Sequence, residues 1–297
     1  MSAVVVVGAG WIGRAVAAAQ GVSAISRRAF RATDIPPGSR VVVASGRSTI
    51  TRVEGLQNPL QDEVGHLRVV LDAAESFCAR RVVVLGSSDV AGLAPVIDGR
   101  TAQDPRTVYA QVKAALEDEC TSRRAGGVPV TYLRLAPVHG AGKRRTSSLV
   151  GLSRLPVIAL PNGGDHSTGF ILLSDAVRAI EWLLDHPAPA VQSVGGGDTP
   201  LRLLLQLLAQ AQGRRLRCVP VPFPARTAGR LLGPRGPDQI QWALRLACAR
   251  SVLMDPPVEA ASLENAAQTL VGPSPTGGPT GSGLPLQAAA IQARPVG

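Results

Sequence analysis

The sequence predicts an α/β protein built on a doubly wound parallel sheet, with a smaller C-terminal part. Two observations predict the sheet and one predicts the smaller part. A β-branched run leads straight into a glycine turn and an alanine-rich helix, in "VVVVGAGWIGRAV". Strand-like and helix-like stretches then alternate as far as residue 138, which implies a sheet covered by helices on both faces. After residue 140 the alternation breaks. At 297 residues and 45% hydrophobic content, the chain can bury one large core, or a main domain with a smaller partner.

The elements follow in order. Residues 3–7 are a continuous apolar run suited to a buried parallel strand. Residues 11–20 read as a helix that stops near Gly21. "VSAIS" (22–26) and "SRVVVASG" (39–46) are the second and third strands. Residues 59–79 have helical spacing, with Val64, Leu67, Val70, Leu71 and Ala74 on one side. "RRVVVLGSS" (80–88) is the fourth strand, residues 105–124 a helix, and "VPVTYLRLAPV" (128–138) the fifth strand. Right-handed crossovers then wind the sheet in both directions. Beyond the polar loop "GAGKRRTSS", a strand leads to a helix capped by Ser174 or Asp175 and ending at Pro187. A second capped helix starts near Asp198 or Thr199 and stops at Gly213. "CVPVPFP" is a proline-rich strand, followed by helical material to about residue 270. Residues 271–297 are rich in Gly, Pro and Ser, which predicts a disordered tail.

Composition narrows the function classes. No stretch of 18 uncharged apolar residues occurs, which argues against a membrane span. The first apolar run lacks a basic leader, which argues against a secretory signal. Cys78, Cys120, Cys218 and Cys248 form no C-x-x-C pair and read as buried free thiols of a cytoplasmic protein. The four histidines show no metal-binding spacing. The net charge of +10 does not point to nucleic acid, because the arginines are dispersed and Lys113 and Lys143 are the only lysines. The residual positive field favours small anionic ligands.

The glycines have distinct tasks. Gly8 allows the turn off the strand, Gly10 lets the backbone approach a pyrophosphate, and Gly13 lets the helix pack on the sheet. The helix N-terminus offers free N–H groups to the phosphates. The second strand ends in Ser26, Arg27 and Arg28, where an NAD site would carry an acid for the ribose 2′-hydroxyl. Arginine suits a 2′-phosphate, so the sequence favours NADP(H) over NAD(H).

"VYAQVKAAL" places Tyr109 and Lys113 one turn apart on a helix. An ammonium beside a phenol favours the phenolate, and a phenol so tuned can exchange a proton with a substrate oxygen. With two tyrosines and two lysines in the chain, this offset arises by accident about once in 75 such chains. Ser87 and Ser88 end the fourth strand, at the edge where open parallel sheets bind ligands.

Taken together, these motifs resemble the extended short-chain dehydrogenase/reductase family, the NAD(P)-dependent epimerase/dehydratase group, over residues 3–270. "GAGWIG" looks like its nucleotide loop, although the first gap is one residue shorter than the usual G-x-x-G-x-x-G. "LGSSDVAG" resembles S-S-x-x-V-Y-G, "YAQVK" matches Y-x-x-x-K, and "LRLAPVHGAG" resembles L-R-P-x-x-V-Y-G-P-G. "TGFILLSDAVRAI" resembles R-D-F-I-H-V-D-D-V-A-R-A. The resemblance implies Ser87, Tyr109 and Lys113 as catalytic residues. It implies a cofactor site that includes Tyr109 and Lys113, with Lys113 on the nicotinamide ribose, and adds Trp11, Ile12, Ser45, Gly46, Ala136, Pro137 and Val138, and a substrate site touching Ser87, Ser88 and His139. It implies a Rossmann domain over residues 1–142 and 168–197 and a substrate-binding part over 143–167 and 198–270. It also implies a homodimer surface on the helices at 59–79 and 105–124.

The departures matter as well. Ser88 and Asp89 replace the Asp-Glu pair of sugar dehydratases, Thr168 replaces a diphosphate-binding arginine, and Ala91 and His139 replace tyrosines. The sequence therefore reads as an NADP(H)-dependent oxidoreductase acting on a ketone or secondary alcohol of a small metabolite. The alternatives are an epimerase and a non-catalytic NADP-binding regulator.

Overall fold

The structure is a computed structural model that describes residues 2–46, 57–221 and 251–272. Its centre is a six-stranded, all-parallel sheet. The strands are β1 (Val4–Val7), β2 (Ala24–Ile25), β3 (Arg40–Val43), β4 (Arg81–Leu85), β6 (Val130–Leu135) and β10 (Val191–Val194), in the spatial order β10-β6-β4-β3-β1-β2. Between β4 and β6 in sequence lies a short strand, β5 (Val96–Ile97). Successive side chains of each strand point to opposite faces, so each strand feeds two cores. Val6, Val42, Val83 and Leu133 pack against helix α1 (Trp11–Ala19) and Ile180, Leu183 and Leu184. Val5, Val41, Val82 and Val130 pack on the other face, under α2 (Pro59–Ser76) and α3 (Val108–Ala125). Both faces are covered by apolar side chains of the flanking helices, which is why the strands read as unbroken apolar runs.

The order reverses at β1, whose neighbours are β2 and β3. This is the switch point at which doubly wound sheets bind ligands, beyond the carboxyl ends of the strands. The glycine turn, Ser45 and Gly46, and Ser87 and Ser88 all follow those ends.

After β7 (Val138–His139) the chain forms α4 (Arg144–Leu152), β8 (Val157–Pro161), β9 (Ile171–Leu172), α5 (Leu173–Asp185), α6 (Leu201–Ala211), β11 (Arg217–Val221), β12 (Ser251–Val252) and α7 (Leu263–Val271). Strand β7 pairs with β9, β8 with β11, and β5 with β12, all in parallel. Leu204 and Leu208 of α6 join Ala266 and Ala267 of α7 in one small core. Leu201 and Leu205 join Leu160 and Leu216 in another. Among the described residues no helix is long and apolar enough to cross a membrane.

Several expectations need correction. The helix at 173 is not capped by Ser174 or Asp175: its N-cap is Leu172, and no side chain caps it. The buried Asp175 instead accepts the Ala261 N–H at 3.0 Å and pairs with Arg178, tying α5 to the segment before α7. The next helix likewise has Pro200 as its N-cap, after Asp198 and Thr199, and no side chain caps it. Its proline supplies the entry angle, and the backbone there ties to residues 166–168. Residues 251–262 are a short strand and irregular chain, not helix, because Ser251 and Leu253 bond to β5 and its entry. Cys78 is an exposed thiol, whereas Cys120 is buried. Cys248, and the tail beyond residue 272, lie outside the described residues.

Candidate active site

The glycine turn is built for close approach. Gly8 has φ +122°, and a Cβ there would lie 2.3 Å from the Ala44 carbonyl carbon. A Cβ at Gly13 would lie 1.8 Å from the Gly8 oxygen, so α1 meets the turn with no room for a side chain. At Gly10 the case is opposite: nothing stands within 4 Å of an added Cβ. Gly10 is also the N-cap of α1 and caps it with no side chain. The start of α1 thus leaves room over Gly10 for a ligand to approach the backbone, which fits a dinucleotide pyrophosphate.

Trp11 turns away from α1 toward the loop after β7. Its Nε1–H donates to the Ala141 carbonyl at 3.2 Å, and Lys143 Nζ sits 4.9 Å from its ring centroid. It thereby links the nucleotide turn to the start of the C-terminal part. Ile12 is half-buried beside the core of the α1 face.

Beyond β2, Ser26 and Arg28 are exposed, and the Ser26 hydroxyl accepts the Ala29 N–H at 3.3 Å. Arg27 behaves differently. Its guanidinium binds the Glu63 carboxylate and reaches Asp62 at 3.2 Å, both on the first turns of α2. The sequence alone assigned both arginines to a cofactor phosphate; this pair engages Arg27 with protein carboxylates.

The two residues that the sequence pairs as acid and base, Tyr109 and Lys113, come from α3. Thr107 caps that helix by accepting the Ala110 N–H at 3.0 Å, which fixes its first turn. Tyr109 lies in this turn with 8% exposure, and Lys113 one turn on with 3%. The ammonium is 5.6 Å from the phenol ring centroid. Ser87, also buried, caps the short 3-10 turn Ser88–Ala91 by accepting the Asp89 N–H at 3.2 Å, and this turn packs on α3. Sheet edge and helix start therefore present Ser87, Ser88, Tyr109 and Lys113 at one end of the sheet.

Lys113 reaches the end of β3. A Cβ at Gly46 would lie 2.6 Å from Lys113 Nζ and 3.4 Å from Glu63 Oε2. Burial lowers the Lys113 pKa, Glu63 opposes that shift, and Arg27 reinforces it. Ser45 bonds His66 Nε2 at 2.8 Å, and burial with Arg27 pushes His66 down to about 4. Near Ala136, Pro137 and Val138, at the strand end beyond β6, His139 is 3% exposed. Its ring stacks on Phe170, and burial pushes its pKa down to about 3.

Three residues went unnoticed in the sequence: Glu63, His66 and Tyr132. The buried Tyr132 hydroxyl donates to the Lys113 carbonyl at 2.8 Å, and its ring fills the space that a side chain at Gly86 would need. Only for Glu63 was a signal available. It lies four and seven residues before Leu67 and Val70, on the apolar stripe of α2. Among the described residues no cluster of His, Cys, Asp or Glu could hold a metal.

A parallel sheet with its glycine turn at the switch point, and a Tyr–Lys helix beside it, defines an NAD(P)-dependent enzyme of the short-chain dehydrogenase/reductase type. The chain belongs to the NAD dependent epimerase/dehydratase family, whose model matches residues 39–195. Solved structures agree in fold. RMD from Pseudomonas aeruginosa, complexed with NADPH, superposes with a TM-score of 0.67 at 16% identity, covering 91% of this chain and 98% of its own. MoeE5, in complex with UDP-glucose and NAD, gives 0.67 at 18% identity, with 91% and 97% covered. The UDP-N-acetylglucosamine 4-epimerase from Bacillus cereus gives 0.66 at 15% identity, with 91% and 98% covered. No curated protein matches the chain in sequence.

Proposed function

We propose that the protein is an NADP(H)-dependent oxidoreductase that reduces a ketone, or oxidises a secondary alcohol, on a small metabolite. The observation that carries this reading is the buried Tyr109–Lys113 turn, packed against the Ser87 turn at the sheet end that also holds the glycine turn. When bound, the nicotinamide supplies or accepts the hydride. Tyr109 gives a proton to the substrate oxygen or takes one from it, and Ser87 orients that oxygen by hydrogen bonding. Lys113 holds positive charge beside Tyr109 and favours its phenolate. Ser88 and His139 line the substrate side; His139 stays neutral near pH 7 and serves as a packed, uncharged wall. The substrate enters between the Rossmann domain (1–142 and 168–197) and the parts at 143–167 and 198–270.

The preference for NADP(H) rests on the absence of an acid after β2. Because Arg27 is engaged by Glu63 and Asp62, the 2′-phosphate falls to Arg28 and Ser26 on the exposed rim. A homodimer through α2 and α3, and a cytoplasmic setting, complete the reading.

The second reading is an epimerase that oxidises and re-reduces one carbon while keeping its cofactor. It is favoured by the family and by neighbours whose names are sugar epimerases. Mass spectrometry of the purified protein, released under denaturing conditions, separates the two. The oxidoreductase predicts an empty or exchanging site and net consumption of NADPH with a ketone substrate. A stoichiometric retained dinucleotide, with turnover that consumes none, would overturn it in favour of the epimerase.

A further inference from the structure

We propose that Glu63 is a positioning residue of the acid–base site, holding Lys113 as a cation beside Tyr109 by sharing one carboxylate between Lys113 and Arg27. This rests on the reading of Tyr109 and Lys113 as the acid–base pair.

Glu63 is 3% exposed on the first turns of α2, an acid on the buried side of a helix. A buried carboxylate is costly unless it is paired. Its two oxygens face different partners. Oε1 binds Nη1 of Arg27, and Oε2 turns to the point beside Gly46 where Lys113 Nζ also lies. The missing side chain at Gly46 makes room for both groups, since a Cβ there would stand 2.6 Å from the ammonium. Three chain segments that are far apart in sequence thus meet at one carboxylate.

The chemistry requires such a group. Lys113 is buried, and burial favours the neutral amine, which could not favour a phenolate at Tyr109. Among the described residues, the neighbouring charged and titratable groups are engaged elsewhere or uncharged. From α2, Asp62 lies on Arg27 and His66 is held neutral by burial. From the β2 end, Arg27 is itself a cation. On α3, Glu117 is committed to Arg134. From β6, Tyr132 stays protonated. Among the described residues, Glu63 is the acid that faces Lys113.

The test needs no substrate. The chain has only two tyrosines, and burial pushes Tyr132 well above the usual tyrosine range. The first phenolate absorbance to develop in an alkaline titration therefore belongs to Tyr109. Glu63→Gln should raise that midpoint by about one pH unit, because Lys113 then loses its proton sooner. Glu63→Asp, which keeps the charge on a shorter side chain, should raise it less and decides the matter if Glu63→Gln does not fold. In a Lys113→Met background, Glu63→Gln should give no further rise. Circular dichroism establishes folding in each case. An unchanged or lowered midpoint in folded Glu63→Gln, or an undiminished rise without Lys113, would overturn the proposal. Neither result depends on turnover, so failure of the oxidoreductase reading would show separately, in the activity of Tyr109→Phe.

Discussion

Two Arg–Glu pairs flank the helix that carries Tyr109 and Lys113, and they differ in how they close. Arg134 and Glu117 are 3% and 4% exposed, on β6 and α3. Two guanidinium nitrogens bind the carboxylate, at 2.8 and 2.5 Å, and another donates to the Asp98 and Thr101 carbonyls. Gln103 adds a bond to Glu117 at 2.9 Å. Every strong group in this pair has a partner, so it locks the loop at 98–103 to the sheet and leaves nothing for a ligand. Arg27 and Glu63 form the open counterpart. The arginine is partly exposed beside the nucleotide turn, and the carboxylate has a second face toward Lys113. The same chemistry is structural where it closes on itself and functional where one face is left for a neighbour.

Breaking the closed pair should have the largest effect on folding. Glu117→Gln leaves Arg134 charged and buried, and should cost about 3 kcal/mol in urea unfolding. The folded fraction should still bind NADPH; loss of binding at full folding would mean that this pair also serves the site. The rim outside the open pair should matter less and more selectively. Arg28→Ala should weaken NADPH binding about tenfold, measured by fluorescence titration, and leave NADH unchanged. Equal losses for both cofactors would remove the assignment of Arg28 to the 2′-phosphate.

The effect of His139 is the smallest at neutral pH, where the ring is uncharged folded or unfolded, and it grows only on acidification. His139 has a folded pKa of about 3 against an ordinary 6.5, so it is neutral in the folded state. Below 6.5 the unfolded chain takes up the proton first, and stability is lost progressively as pH falls toward 3. His66, at about 4, adds a loss of the same sign. His139→Phe, which keeps an aromatic ring against Phe170, should flatten part of this decline in urea midpoints measured across that range. An unaltered slope would show that His139 contributes none of it.

The same contrast explains what could be read from sequence. The sheet, the glycine turn and the Tyr109–Lys113 spacing are local patterns, and local patterns are legible. Gly8 and Gly13 do what their spacing promised, because each fills a steric demand set by residues close along the chain or one strand away. The caps at residues 172 and 200 were misread because backbone geometry, not a polar side chain, starts those helices. The ion pair of Arg27 could not be read because its partner lies 36 residues on, in a helix whose acids look solvent-facing. Glu63 and Tyr132 acquire meaning only when α2, α3 and β6 are brought together, and no spacing along the chain announces that.

The central claim is that Tyr109 is the acid–base of a hydride-transfer site. Its most direct test compares wild type with Tyr109→Phe, following NADPH absorbance against a panel of small ketones and nucleotide-sugar ketones. The account predicts that the variant folds and binds NADPH as wild type does, while turnover falls on the order of 10²–10⁴-fold. Turnover equal to wild type in the folded, NADPH-binding variant would contradict it.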